Sequence, residues 1–210
     1  MARTTMADLL LRLRGLTQSG TADYAVSGTT YWTDDQLQDV LDRNRMDVID
    51  ERLQPHSETN SGGTVVYYLY QSGYRNLEAT DGGTAVFYMR DSSGSRAGTA
   101  NYAVDYNAGR VVFNVDTAGT VFYLTARTFD LNAAAAEVWD QKASSVAERF
   151  DFSADAASFK VSQLTENYRR QAAYYRSLAS FGAGVGMNSS TMYRDDVALT
   201  WFGHDFVDRD

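Results

Sequence analysis

Apolar residues at helical spacing predict that the chain begins with short helices. Residues 5–16 predict an amphipathic helix, and the Thr/Ser/Gly-rich stretch 17–30 predicts a loop. A second helix is predicted to start at Thr33, because a Thr N-cap followed three residues later by Gln36 forms a capping box. The apolar face of this second helix comprises Leu37, Val40, Leu41 and Val48.

The predicted second helix runs to about Leu53, and Pro55 helps to end it. Residues 1–60 are therefore assigned to an N-terminal helical part. From residue 61 to residue 130 the apolar period changes from 3.6 to 2, which is typical of strands.

Short β-rich runs with turn sequences between them fill residues 61–130. The runs are residues 64–71, 76–80, 85–90, 102–106, 110–115 and 120–129. The clearest hairpin turn is Asn107-Ala108-Gly109. This pattern predicts an antiparallel β meander, sandwich or partly closed barrel, inserted into a helical scaffold.

Helical spacing returns for residues 131–181, which predict a pair of helices with a corner at Phe152-Ser153. The second helix of the pair is predicted to start near Ala157. Six of its residues share one narrow buried seam: Val161, Leu164, Tyr168, Ala172, Tyr175 and Ala179. Three large apolar residues fall on roughly the opposite side: Phe159, Tyr174 and Leu178. The helix is therefore either sandwiched within its own fold or shared with another subunit.

Residues 182–210 have no clear apolar period and begin with Gly182, Gly184 and Gly186, which predict a hinge. The segment keeps large side chains that a merely soluble loop rarely carries. These residues are Met192, Tyr193, Trp201, Phe202 and Phe206. We therefore predict an extended docking arm, and an α+β fold class for the whole chain.

Composition narrows the classes of function. The 210 residues include no cysteine, which excludes disulfides, thiol catalysis and cysteine metal sites. The net charge of −8 argues against wrapping around nucleic acid, because that requires a basic surface. No signal peptide or membrane span is predicted, since the apolar run Leu9–Leu11 is short and is followed by Arg12 and Arg14.

The sequence predicts no catalytic, cofactor or metal motif. The glycines of residues 182–186 follow a helix instead of a strand, which favours a helix cap over a phosphate loop. His56 and His204 each lack a ligand partner at metal-binding spacing. The pair Asp34-Asp35 is explained by helix capping, and the later aspartates lack the pattern of a calcium loop.

Two further groups of residues have a structural and a functional interpretation. Tyr67, Tyr68 and Tyr70 are placed to line a sugar-binding face, although strict alternation favours a core role for one side of that strand. The basic residues Arg169, Arg170 and Arg176 favour pairing with acidic neighbours over nucleic-acid contact. An enzyme is the weakest of the functional classes, because no nucleophile or acid–base pair is evident.

Residues 105–180 resemble a group of tailed-bacteriophage proteins encoded among the head and neck genes. The resemblance is carried by the start Phe129-Asp130-Leu131-Asn132, the corner Asp151-Phe152-Ser153 and the Gln/Tyr/Arg-rich last helix. The helix that begins at Thr33 also resembles the opening helix of head–tail connector, or adaptor, proteins.

The resemblance implies a head-completion adaptor, located in the virion neck and assembled in the bacterial cytoplasm. It implies a homo-oligomer, with about a dozen copies in a ring below the portal protein, and a tail-side neck or terminator protein as a further partner. DNA would pass through the ring without sequence-specific binding. The alternative is another virion binding module, whose β domain recognises a glycan or a tail protein.

Overall fold

Helices and antiparallel strands occur in blocks along the chain. The computed structural model describes residues 2–21, 23–26, 29–147, 152–154, 157–159 and 161–179. The four described α-helices are α1 (Ala7–Thr17), α2 (Asp34–Arg43), α3 (Leu131–Ala147) and α4 (Val161–Leu178). Short 3-10 turns lie at Thr4–Met6 and Thr99–Asn101.

The described strands pair only in antiparallel fashion, so the α+β class with antiparallel sheets is confirmed. The strands are β1 (Tyr24–Val26), β2 (Thr29–Tyr31), β3 (Arg45–Arg52), β4 (Gln54–Thr59), β5 (Val65–Gln71), β6 (Leu77–Glu78), β7 (Thr80–Asp81), β8 (Thr84–Ala85), β9 (Tyr88–Asp91), β10 (Tyr102–Asp105), β11 (Arg110–Phe113), β12 (Phe122–Phe129), β13 (Phe152–Ala154) and β14 (Ala157–Phe159).

Two open sheets share one apolar core. The first has the order β10-β11-β5-β4, and in the second β12 lies between β3 on one side and β6 and β9 on the other. Their inner faces meet at Phe122 of the second sheet. The centre of its ring lies 5.3 Å from the ring centre of Tyr70 and 4.8 Å from that of Phe113, which both belong to the first sheet. This core comprises Leu53, Tyr70, Leu77, Phe87, Met89, Val111, Phe113, Phe122, Leu124 and Ala126.

A second core joins the helices. It comprises Met6, Leu9, Leu10, Leu13, Trp32, Leu37, Val40, Leu41, Phe129, Leu131, Ala134, Ala135 and Val138. The predicted capping box is present, because Thr33 Oγ1 accepts from the Gln36 amide at 3.3 Å and Gln36 Oε1 accepts from the Thr33 amide at 3.1 Å.

The prediction that the second helix continues to about Leu53 is wrong. α2 ends at Arg43, and residues assigned to the N-terminal helical part form β3 and β4 instead. Asn44 closes the helix, since its amide N–H and its side-chain Nδ2 both donate to Val40 O. Val48 is buried as part of strand β3, and its position eleven residues after Leu37 fits a helical period only by coincidence.

Two predicted loops or corners contain hairpins. The stretch 17–30, predicted as a loop, includes β1 and part of β2. The pair β13–β14 precedes the last helix, which therefore begins at Val161 instead of near Ala157. Strands this short carry too few residues for an alternating pattern to be recognised.

The predicted β region is largely recovered. Long runs match β5, β10, β11 and β12, whereas the runs 76–80 and 85–90 break into shorter strands. The predicted turn before β11 is also present, with Gly109 at a φ of 68°. A Cβ on Gly109 would lie 1.9 Å from Tyr74 O, so only glycine fits there.

Candidate functional site

The outer side of α4 exposes large apolar side chains. Tyr174 is 56% exposed and Leu178 is 46% exposed, although both belong to a helix that also has a buried side. We name these two residues the α4 patch. They are two of the three apolar residues predicted on this side; the side chain of the third, Phe159, lies outside the described residues.

The start of α3 fixes the position of this helix pair. The Asp130 side chain accepts from the amides of Asn132 at 2.9 Å and Ala133 at 3.0 Å, so it caps the helix. The Asp130 amide in turn donates to Asn44 O at 3.0 Å, which ties the cap to the end of α2. At the same end of the pair, Asn132 Nδ2 of α3 donates to Leu178 O at the C-terminal end of α4, at 3.2 Å.

The predicted seam of α4 packs on α3. Ala172 is fully buried, which lets the two helix backbones approach closely. The ring of Tyr168 lies 5.3 Å from that of Trp139, and Tyr175 packs against the helical core. An ion pair between Arg176 and Asp140 borders the contact, as expected for a basic residue that pairs with an acidic neighbour. Since this side is occupied, the α4 patch faces away from it.

Polar side chains surround the α4 patch on its own helix. Arg170, Gln171 and Ser177 are all exposed beside it, and Arg170 pairs with Glu166 at 3.2 Å. An apolar centre with a polar rim is the usual composition of a protein–protein contact. The rings of Tyr174 and Tyr175 pack edge to face, with their centres 5.2 Å apart and their planes at 70°. Because this contact already restricts the Tyr174 side chain, less rotamer freedom is lost when a partner binds.

A buried ion network lies elsewhere, beside the second sheet. The Glu78 side chain is 0% exposed, and its Oε1 accepts from Arg3 Nε at 2.7 Å. Arg127 lies 3.6 Å from the other carboxylate oxygen and also binds Asp81 at 2.5 Å. Arg3 binds Asp42 of α2 at 2.6 Å as well. The network therefore fastens the N-terminal segment to both α2 and the sheet.

The electrostatics of this network follow from burial. Burial raises the pKa of Glu78, although the nearby Arg3 and Arg127 act in the opposite direction. The hydrogen bond from Arg127 lowers the pKa of Asp81. Every charged side chain in the network contacts at least one side chain of opposite charge, which indicates a structural role.

Lys142 is a second buried charge. Its Nζ donates to Thr17 O at 2.7 Å and to Gln18 O at 3.3 Å, and so satisfies carbonyls at the end of α1. The same Nζ lies 3.6 Å from Asp23 and 5.0 Å from the centre of the Trp139 ring. Burial lowers the pKa of Lys142, which Asp23 partly counteracts.

An open cleft of about 490 Å³ lies between α1 and the β10–β11 hairpin. Asp8 and Asp105 are among its lining residues. Asp8 accepts from Asn107 Nδ2 at 2.8 Å, and Asp105 accepts from the Asn107 and Ala108 amides at 3.1 Å and 3.0 Å. Both carboxylates are thus used to hold the hairpin turn.

The structure shows the positions of several residues for which the sequence allows both a structural and a functional role. Tyr70 belongs to the core and has 0% exposure, so it is not part of a sugar-binding face. His56 is exposed on β4, and Asp34 and Asp35 lie in the first turn of α2. Within the described residues, no group of three or more His, Asp or Glu side chains is arranged to hold a metal ion.

The predicted hinge and arm lie outside the described residues. The hinge residues are Gly182, Gly184 and Gly186, and the predicted partner contacts are Met192, Tyr193, Trp201, Phe202 and Phe206. The Glu78 and Lys142 networks are not predicted by the sequence. Their partners are 75 and 125 residues away in sequence, and no local motif marks such pairs.

Comparison with protein-family models, curated proteins and solved structures finds no match to this chain. None of the described helices combines the length and apolar character needed to cross a bilayer.

Proposed function

We propose that the chain is a structural virion protein, a head–tail adaptor of a tailed bacteriophage. Copies form a ring below the portal, extend the DNA channel and join the capsid to the tail. The observation that carries the proposal is α4: one side packs on α3, while Tyr174 and Leu178 remain exposed on the other. A helix of this kind is suited to packing between subunits.

The charge of the chain fits a channel that DNA crosses without binding. Each copy has a net charge of −8, so a ring of copies carries a large negative charge. Where that charge lines the channel, the phosphate backbone is repelled from the wall and passes freely. Sequence-specific DNA binding is not part of this proposal.

The proposed partners are other copies of the chain in a dodecameric ring, the portal protein and a tail-side neck or terminator protein. The site is the virion neck, and assembly takes place in the host cytoplasm. We propose that residues 182–210 form the arm that docks on the portal or a neighbour, because this segment carries Trp201, Phe202 and Phe206 among polar residues.

Native mass spectrometry of the chain mixed with the portal protein of the same genome tests the proposal. We expect a complex that contains the portal ring and about a dozen copies of this chain. The variant Trp201→Ala/Phe202→Ala should remain folded and bind the portal more weakly. The adaptor function is refuted if the wild-type chain stays separate from the portal over a wide range of salt and protein concentrations.

A further inference from the structure

Three arginines and two tyrosines lie together on the outer face of the second sheet. Tyr123 of β12 is paired with Arg52 of β3 on one side and with Arg90 of β9 on the other. Arg90 is in turn bridged to Arg96. Directly paired residues of antiparallel strands point to the same face of the sheet. Because neighbouring strands are about 4.8 Å apart, the line from Arg52 through Tyr123 and Arg90 to Arg96 is about 14 Å long. We name Arg52, Tyr88, Arg90, Arg96 and Tyr123 the arginine row.

The arginine row faces outward. Leu124 and Met89, the neighbours of Tyr123 and Arg90 along their strands, belong to the buried β core. By the alternation of strand side chains, the row lies on the opposite face. Arg52 and Arg96 are exposed, and the other members of the row are half-buried.

Tyr88 holds two of the guanidinium groups close together. The Arg96 guanidinium carbon lies 3.9 Å from the centre of the Tyr88 ring, and that of Arg90 lies 5.2 Å from it. Each cation is attracted to the ring, but the two cations repel each other. An anion between or beside them would relieve this repulsion, so the arrangement favours an anionic partner.

In the part of the chain that the structure describes, the arginines of the row have no acidic partner, although the full sequence has 27 acidic residues for 19 basic ones. Among the described residues, no carboxylate lies within 4.0 Å of the guanidinium nitrogens of Arg52, Arg90 or Arg96. By contrast Arg127, farther along β12, binds Asp81 at 2.5 Å.

Two acidic residues that are close to the row in sequence, Asp91 and Asp50, form hydrogen bonds with other groups. The Asp91 carboxylate accepts from the amides of Ser93 at 2.8 Å and Ser95 at 3.0 Å, and so stabilises the turn after β9. Asp50 reaches the border of the row, where its carboxylate accepts from Thr125 Oγ1 at 3.4 Å. Both carboxylates keep their negative charge, and the three guanidinium charges still exceed these two.

We propose that the arginine row is a subunit contact that binds an acidic surface of a second copy of this chain. The proposal rests on the ring-forming function proposed above and names one of its contacts. With the row set aside, the rest of each copy is even more acidic than its net charge of −8, so a second copy supplies the complementary charge. Guanidinium groups bind carboxylates through two parallel hydrogen bonds, which makes such a contact specific.

This contact is expected to be heterologous, which means that two different surfaces of the same chain meet. Two arginine rows repel each other, so the same patch cannot pair with itself across a twofold axis. A head-to-tail contact between different patches closes into a ring when the rotation is suitable. A nucleic acid is a poorer occupant of the row, because the net charge of −8 repels phosphates at long range.

Charge reversal of the row, measured by sedimentation velocity of the full chain, tests the proposal. The variant is Arg90→Glu/Arg96→Glu. Its control is Arg75→Glu/Arg110→Glu, which makes the same charge change at two exposed arginines outside the row. We expect self-association to be about 10- to 100-fold weaker in the variant than in the control. Wild-type association should also weaken between about 0.05 M and about 0.5 M salt.

Cross-linking identifies what covers the row. The chain has no cysteine, so Ser92→Cys introduces one thiol in the exposed turn beside the row. A photoreactive maleimide on this thiol should link to an acidic segment of a second copy, as read by mass spectrometry of the linked peptides.

The outcomes separate this inference from the adaptor function. If wild type and the row variant assemble equally well, the inference is wrong and the adaptor function stands. If only binding of a labelled single-stranded DNA is lost in the row variant, the row is a nucleic-acid surface and the inference is also wrong. A wild-type chain that neither self-associates nor joins the portal overturns both proposals.

Discussion

Removing the α4 patch should weaken assembly without unfolding the protein. The perturbation is Tyr174→Ala together with Leu178→Ala, since alanine preserves helix propensity. A tyrosine buries about 200 Å², so 56% exposure leaves about 110 Å², worth about 2–3 kcal/mol when an interface covers it. For leucine, 46% exposure corresponds to about 1 kcal/mol. Together they predict an association constant lower by a factor of about 100 to 1,000.

The assay is sedimentation velocity over a concentration series, with thermal unfolding measured in parallel. Both residues are exposed, so we expect the free energy of unfolding to change by no more than about 1 kcal/mol. The matched control is Leu11→Ala on α1, which removes another exposed leucine (69%) and should leave assembly unchanged. Equal self-association of the double variant and the wild type would refute the assignment of α4 as an interface.

Three further predictions concern the described fold. Thr33→Ala removes the acceptor of the capping box and should lower the free energy of unfolding in urea by about 1 kcal/mol, whereas no change would contradict the cap. Since burial raises the pKa of Glu78, the folded state binds a proton more readily than the unfolded chain. The contribution of Glu78 to stability should therefore decrease as pH rises from about 4.5 through its folded pKa, and Glu78→Gln should remove this slope. Because the pKa of Lys142 is lowered, its contribution should increase with pH from its folded pKa up to about 10.5, and Lys142→Met should remove that dependence. Urea unfolding across pH, compared between wild type and each variant, checks both signs.

The elements that the sequence predicts correctly depend on residues that are close together in the chain. The capping box of Thr33 and Gln36 fixed the start of α2 within one residue, because its hydrogen bonds involve only neighbours. The turn before β11 was also predicted, since its conformation demands glycine at Gly109. The seam of α4 followed from helical spacing alone, as the burial of Ala172 shows.

Where a segment of sequence suits more than one structure, its pairing with residues far away in the chain decides between them. Residues 45–52 carry apolar side chains that suit a helix or a strand, and they become β3 because β12 offers partners that are 71 to 84 residues away in sequence. The arginine row is invisible in sequence for the same reason, since it is assembled from three segments by strand register. The sequence leaves open whether α4 is sandwiched within its own fold or shared with another subunit. Among the described residues, α3 packs on one side of α4 and Tyr174 and Leu178 are exposed, while sharing with a subunit stays a prediction.

A cryo-electron microscopy map of the chain bound to the portal of its own genome would show directly whether the chain is a ring-forming adaptor. We expect a closed ring of copies below the portal, with Tyr174 and Leu178 covered by a neighbouring subunit. A map in which the chain binds as isolated copies, with α4 facing solvent in each of them, would contradict this expectation.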